Sequence, residues 1–132
     1  MITNENSLRG LYESFNEQDV ESILAMMAED VEWANGMEGG FVYGRGNVRE
    51  YWRRQFELIK AELTPLEFEI GENTSAVKLR QVIRDLSGNL LDDKIAEHIF
   101  TFENGLIKTF EIGNFTKPFT DNENFRKLRN NA

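Results

Sequence analysis

The hydrophobic period changes along this chain, and that change limits the fold more than any single motif. From Ser7 to about Gln18, Leu8, Leu11, Tyr12 and Phe15 recur at the i, i+3, i+4, i+7 spacing of an amphipathic helix, with Ser7 as its N-cap. Asp19 reads as the cap of a second helix, because Val20, Ile23, Leu24 and Met27 repeat the pattern. At Asp30–Asn35 the period drops to that of a short strand, with Val31 and Trp33 alternating with polar residues. Helical spacing returns from about Asn47 to Ala61, where Val48, Trp52, Phe56 and Ile59 share one side. Pro65 has no backbone N–H, so the next strand starts after it or carries it at a sheet edge. "LEFEIGEN" alternates; "AVKLRQVIRDL", "SGN" and "LLDDKIAEHIFTF" read as a hairpin; "ENG" turns the chain into a closing strand, "LIKTFEIGNF". Helices first and strands last predict an α+β fold, with helices packed on one face of a mostly antiparallel sheet.

At 132 residues the chain is one domain by size, assigned to 1–115, with a polar tail at 116–132 anchored only by Phe119, Phe125 and Leu128. That tail is expected to be poorly ordered or docked on a partner. The absence of cysteine excludes disulfides, thiolate zinc sites and cysteine nucleophiles. A net charge of −8 argues against a nucleic-acid partner, although "REYWRR" interleaves bases with aromatics. No apolar run approaches the roughly 18 residues a membrane span needs, and no secretory signal opens the chain. A cytoplasmic location is therefore expected. "GMEGGFVYGRG" is rich in glycine but lacks the Lys-Ser/Thr pair of a P-loop and the spacing of a dinucleotide fingerprint, so it reads as a turn-rich crossover.

Three ordered segments, "FNEQDVESILAMMAEDVEWANG", "YGRGNVREYWRRQF" and "EHIFTFENGLI", resemble the SnoaL-like and ketosteroid-isomerase-like branch of the nuclear transport factor 2-like superfamily. The resemblance runs from Leu8 to Phe115. It implies a cone in which three N-terminal helices close a curved sheet around a pocket, and a homodimer formed through the sheet. Isomerases of this kind use an Asp base at the end of the first strand, a Tyr on helix one and a protonated acid on the sheet. The resemblance puts Asn35, Leu11 and His98 at those positions. Tyr12 is next to the second of them, but one helical step turns a side chain by about 100°. Two of the three roles are thus missing and the third has changed chemistry, so the steroid-isomerase mechanism is not expected. The carboxylate set of epoxide-hydrolase relatives is not found.

If the long hairpin turns at Ser87-Gly88, Val77 faces His98, Leu79 faces Ala96 and Gln81 faces Lys94. One face then carries Val77, Leu79, Gln81, Ile83, Ala96, His98, Phe100 and Phe102; the other sets Lys78, Arg80 and Arg84 against Glu97 and Asp93 as a charge-paired surface. With the apolar face toward the helices, His98, the only histidine, points inward among Phe15, Trp33, Trp52, Phe56, Phe100 and Phe110. Burial keeps such a ring neutral. Three roles stay open for it: a core residue bonded to Asn35, Asn114 or Tyr12, an orienting group for a ligand, or an acid/base catalyst. A metal ligand is not expected, and neither is a cofactor, because no second histidine or cysteine exists. The candidate ligand-binding residues are Tyr12, Phe15, Trp33, Asn35, Trp52, Phe56, Phe100, Phe110 and Asn114. The functional expectation is an apolar pocket for a small cyclic or aromatic ligand, with isomerase, cyclase or lyase chemistry at His98. The alternative is a non-catalytic dimeric module whose pocket is vestigial.

Overall fold

The computed structural model describes residues 4–36 and 38–113, which leaves Asn114 and the tail 116–132 outside the described residues. The elements run α1 (Glu5–Asn16), α2 (Val20–Leu24), β1 (Met27–Ala34), β2 (Phe41–Tyr43), α3 (Arg45–Leu58), β3 (Ile59–Ile70), β4 (Thr74–Asp85), β5 (Leu90–Glu103) and β6 (Leu106–Gly113). The six strands form one sheet in the order β2-β1-β6-β5-β4-β3. Every pairing is antiparallel except β1 with β6, which is parallel. No helix among the described residues is long and apolar enough to cross a membrane.

Several boundaries differ from the sequence reading, each for a local reason. Helix α1 is capped by Asn4 rather than Ser7: the Asn4 side chain accepts from the Ser7 N–H at 2.9 Å, so Ser7 lies inside the first turn. Asp19 caps α2 as expected, accepting from Ser22 N–H. The helix stops at Leu24, and Met27, read as its last apolar position, opens β1 as a fully buried residue paired with Ile107. Helix α3 ends at Leu58 and β3 begins without a loop, so Ala61 lies in the strand opposite Ile83.

Strand β3 carries Pro65 at the sheet edge, with a register shift between Pro65 and Glu67 that absorbs the missing donor. The same edge is closed at Leu63, whose backbone N–H and C=O both bond the Asn16 side chain, at 2.9 and 2.8 Å. An amide side chain here stands in for a neighbouring strand and blunts a free edge. Further register shifts in β1, β4 and β5 bend the sheet. Asn104 and Gly105, both at positive φ (54° and 77°), make the tight turn from β5 to β6.

The long hairpin has the predicted register: Val77 opposite His98, Leu79 opposite Ala96, Gln81 opposite Lys94. Its inner face packs on Leu8, Leu11, Tyr12 and Phe15 of α1, Ile23 of α2, and Val48, Tyr51 and Trp52 of α3. On the outer face Arg80 grips Asp93 with two hydrogen bonds, at 2.9 and 2.7 Å, and Lys78 pairs with Glu67. Glu97 departs from the expected charge-paired surface. It is fully buried, and its two carboxyl oxygens have no hydrogen-bond partner among the described residues. Its cross-strand neighbour is Gly113, where an added Cβ would come within 2.1 Å of Glu97 Oε1; the carboxyl group occupies the space a side chain would need.

Burial pushes the Glu97 carboxyl from its ordinary value near 4.5 up to about 7. The folded state therefore holds this proton more tightly than the unfolded chain, so the contribution is full below about 4.5 and is lost as pH rises toward 7. Glu97→Gln is expected to stabilise the protein by about 1–3 kcal/mol at pH 8 and by much less at pH 4.5. Thermal melts at the two pH values check it; an equal effect at both would rule out the protonation account.

Candidate functional site

Strand β5 delivers His98 to the inner face, and the register places it between Val77 on β4 and Ile112 on β6. Helix α1 presents Tyr12 over the same spot. The two meet in a 2.7 Å hydrogen bond between Tyr12 Oη and His98 Nδ1, with their rings nearly parallel at 13°. Tyr12 is therefore not turned away from the sheet by its one-step offset from Leu11; both residues face inward.

Burial acts on both members of the pair in the direction that keeps them neutral. It lifts the Tyr12 phenol well above the usual range and holds His98 down at about 3. The phenol has one proton, and Nδ1 is its hydrogen-bond partner among the described residues. If Nδ1 carried the hydrogen, the phenolic proton and the Nε2 lone pair would both lack a partner, whereas a donating Tyr12 leaves only Nε2–H open; the pair therefore favours Tyr12 as donor and the imidazole hydrogen on Nε2. Nε2 has no partner among the described residues, and His98 lines a cavity.

That cavity has a volume of about 160 Å³. Its wall is mainly aromatic: Trp33 stacks on Phe110 with centroids 4.0 Å apart, meets Trp52 edge-on at 5.0 Å, and Phe110 meets the His98 ring at 4.7 Å. Tyr12, Phe15, Trp33, Trp52, His98, Phe100 and Phe110, all inferred from the sequence, line it together. Two candidates do not. Asn35 is not in the lining; it sits in the turn after β1, where its side-chain oxygen accepts from Glu38 N–H at 2.9 Å, and Ala34 and Gly36 line the wall instead. Phe56 packs against the outer side of Phe15, at 5.5 Å, rather than facing the cavity. Asn114 lies outside the described residues.

Of the remaining polar lining, Gln81 is on the inner face that alternation gave it, opposite Lys94, while Tyr51 and Gln55 were not read from the sequence. Tyr51 Oη accepts from Gly36 N–H at 3.1 Å; Gln81 and Lys94 both reach Asp92, at 3.2 and 3.5 Å, where exposed residues mark the mouth. Gln55 is buried and lines the cavity. Its signal was present, since Val48, Tyr51, Trp52 and Gln55 are spaced i, i+3, i+4, i+7, but a search for apolar residues alone followed Phe56 instead. Among the described residues, no Asp or Glu lines the cavity, and no group of three or more potential metal ligands is found.

A family model described as "SnoaL-like domain" matches residues 8–110, so the chain belongs to the SnoaL-like family. No curated protein matches. Solved structures do. An NTF2-like protein of unknown function from Burkholderia pseudomallei K96243 is 29% identical with a TM-score of 0.74, over 85% of this chain and 90% of that one. TerC, crystallised with polyporic acid, is 24% identical with a TM-score of 0.71, over 81% and 87%. A protein from Pseudomonas putida KT2440, provisionally described as a polyketide cyclase, is 16% identical with a TM-score of 0.73, over 88% and 93%. The last two likenesses concern the fold.

Because the folded state keeps His98 neutral, the stability this burial supports is complete above the ordinary histidine value of 6.5 and is lost as pH falls toward 3. The His98 ring is expected to show no NMR titration between pH 8 and 5. Tyr12→Phe, which orphans Nδ1, should cost about 1–2 kcal/mol in denaturant unfolding. A ring that titrates near 6.5 in the native protein would refute the buried assignment.

Proposed function

We propose that this SnoaL-like protein holds a small, single-ring organic compound in the cavity and polarises one of its oxygen atoms through His98 Nε2–H. The observation that carries this reading is the Tyr12–His98 hydrogen bond: it takes up Nδ1, fixes the hydrogen on Nε2 and leaves that donor for an occupant. The volume supports a single ring, since a cavity of roughly 150 Å³ in another protein accommodates benzene. The aromatic wall supplies apolar contact, and a few convergent polar groups supply orientation.

A neutral imidazole donating to a carbonyl oxygen stabilises the negative charge that develops there when a water molecule takes up a neighbouring proton. Isomerisation, cyclisation and elimination all use that step. With a conjugate acid near 3, His98 is a poor proton acceptor at neutral pH, so its role is that of an electrophile rather than a base. A second reading is suggested by the described lining, which holds no Asp or Glu to take the proton: a cavity that binds its ligand without turning it over.

Cyclohexanone tests both. It is expected to raise the melting temperature of the wild type, because a ligand that binds only the folded state stabilises it. His98→Gln should weaken that binding about tenfold, the loss expected for one hydrogen bond in a dry site, while leaving toluene binding unchanged. Exchange of the α-protons in D2O, followed by NMR, separates the readings. Acceleration by the wild type and not by His98→Gln supports catalysis; exchange at the solvent rate with intact binding supports the binding module.

A further inference from the structure

Among the polar side chains of the cavity, Gln55 differs from the others in having nothing to bond. Tyr12 and His98 share one hydrogen bond that leaves only Nε2 open, Tyr51 takes the Gly36 N–H, and Gln81 and Lys94 share Asp92. Gln55 is only 8% exposed, lines the cavity, and its side-chain amide makes no hydrogen bond among the described residues. The fully enclosed, partnerless side-chain atoms of the described residues belong to Glu97, so the Gln55 amide opens onto free space rather than being walled in by apolar groups. A leucine of similar volume would fill the same helix face without a polar group to satisfy.

The amide comes from α3 in the helix layer, and the His98 donor comes from β5 in the sheet. Both line the same cavity, one from each layer. Resting on the binding reading above, we infer that Gln55 is a second polar anchor, and that the ligand is a single six-membered ring with oxygen substituents at two separated positions. One oxygen accepts from His98 Nε2–H. The other is read by Gln55, whose amide can both donate and accept. A site built around a buried polar group discriminates strongly against an analogue lacking the matching one, because the protein group is then left unpaired.

The test is calorimetric titration of toluene, phenol and hydroquinone into the wild type, Gln55→Leu and His98→Gln. The wild type is expected to bind hydroquinone about tenfold more tightly than phenol, as one added hydrogen bond in a buried site implies. Gln55→Leu should lose this preference and bind the two equally, with a melting temperature at or above that of the wild type. Gln55→Met, unbranched and close in shape, gives the same readout if leucine disturbs the helix. A wild type without preference for hydroquinone, or a Gln55→Leu protein that keeps it, would overturn the inference while phenol binding that depends on His98 leaves the binding reading standing. Failure of all three compounds to bind would overturn both.

Discussion

An imidazole and a phenol can be buried together in an apolar interior only if each meets the hydrogen-bonding need of the other. That condition organises this molecule. Tyr12 belongs to the helix layer and His98 to the sheet, so their 2.7 Å bond ties the layers together where no backbone bond can reach. It also sets the spacing between them. The aromatic side chains that flank the pair, Trp33, Trp52, Phe100 and Phe110, hold the layers apart without filling the gap completely. A cavity with a defined chemical polarity results: one donor fixed in direction, surrounded by ring faces.

Neighbouring residues of β5 show the same burial acting with opposite signs. His98 is driven toward its neutral form by losing a proton, Glu97 by keeping one, and the two point to opposite faces of the strand. The strand thereby crosses the centre of the sheet with little net charge in its buried portion. The acid is outside the cavity, so it supplies no proton acceptor to a ligand there, although it lies one residue from the group that would use one.

Much of this was legible in the amino-acid pattern. The alternation in "AVKLRQVIRDL" and "LLDDKIAEHIFTF", with glycine at the turn, determined the register of β4 on β5 and hence the inward direction of His98. Periodicity also found the aromatic wall, because large apolar side chains at helix or strand spacing have few other places to go. What it missed shares a physical cause. Asn35 looked like a pocket residue by position, yet a short amide beside a glycine-rich turn bonds its own backbone first. Gln55 was overlooked because polarity suggests exposure, and only the surrounding tertiary packing shows which side of α3 faces in. Glu97 was assigned by alternation to a charge-paired surface suited to solvent or a dimer contact, whereas it is fully buried within the chain itself.

The parallel pairing of β1 with β6 has a consequence for how the chain acquires its structure. Met27 pairs with Ile107 and Trp33 with Phe110, so the first strand completes its hydrogen bonding only through nearly the last segment described. The other large pairings join strands consecutive in sequence, and they close short loops. During synthesis, α1, α2 and β1 therefore leave the ribosome with their apolar faces uncovered, and Trp33 waits for Phe110 until almost the whole domain has been made. Non-local strand pairing of this kind slows folding and prolongs exposure of aggregation-prone surface. Among the described residues, the stack that walls the cavity is also one of the last contacts the nascent chain can form.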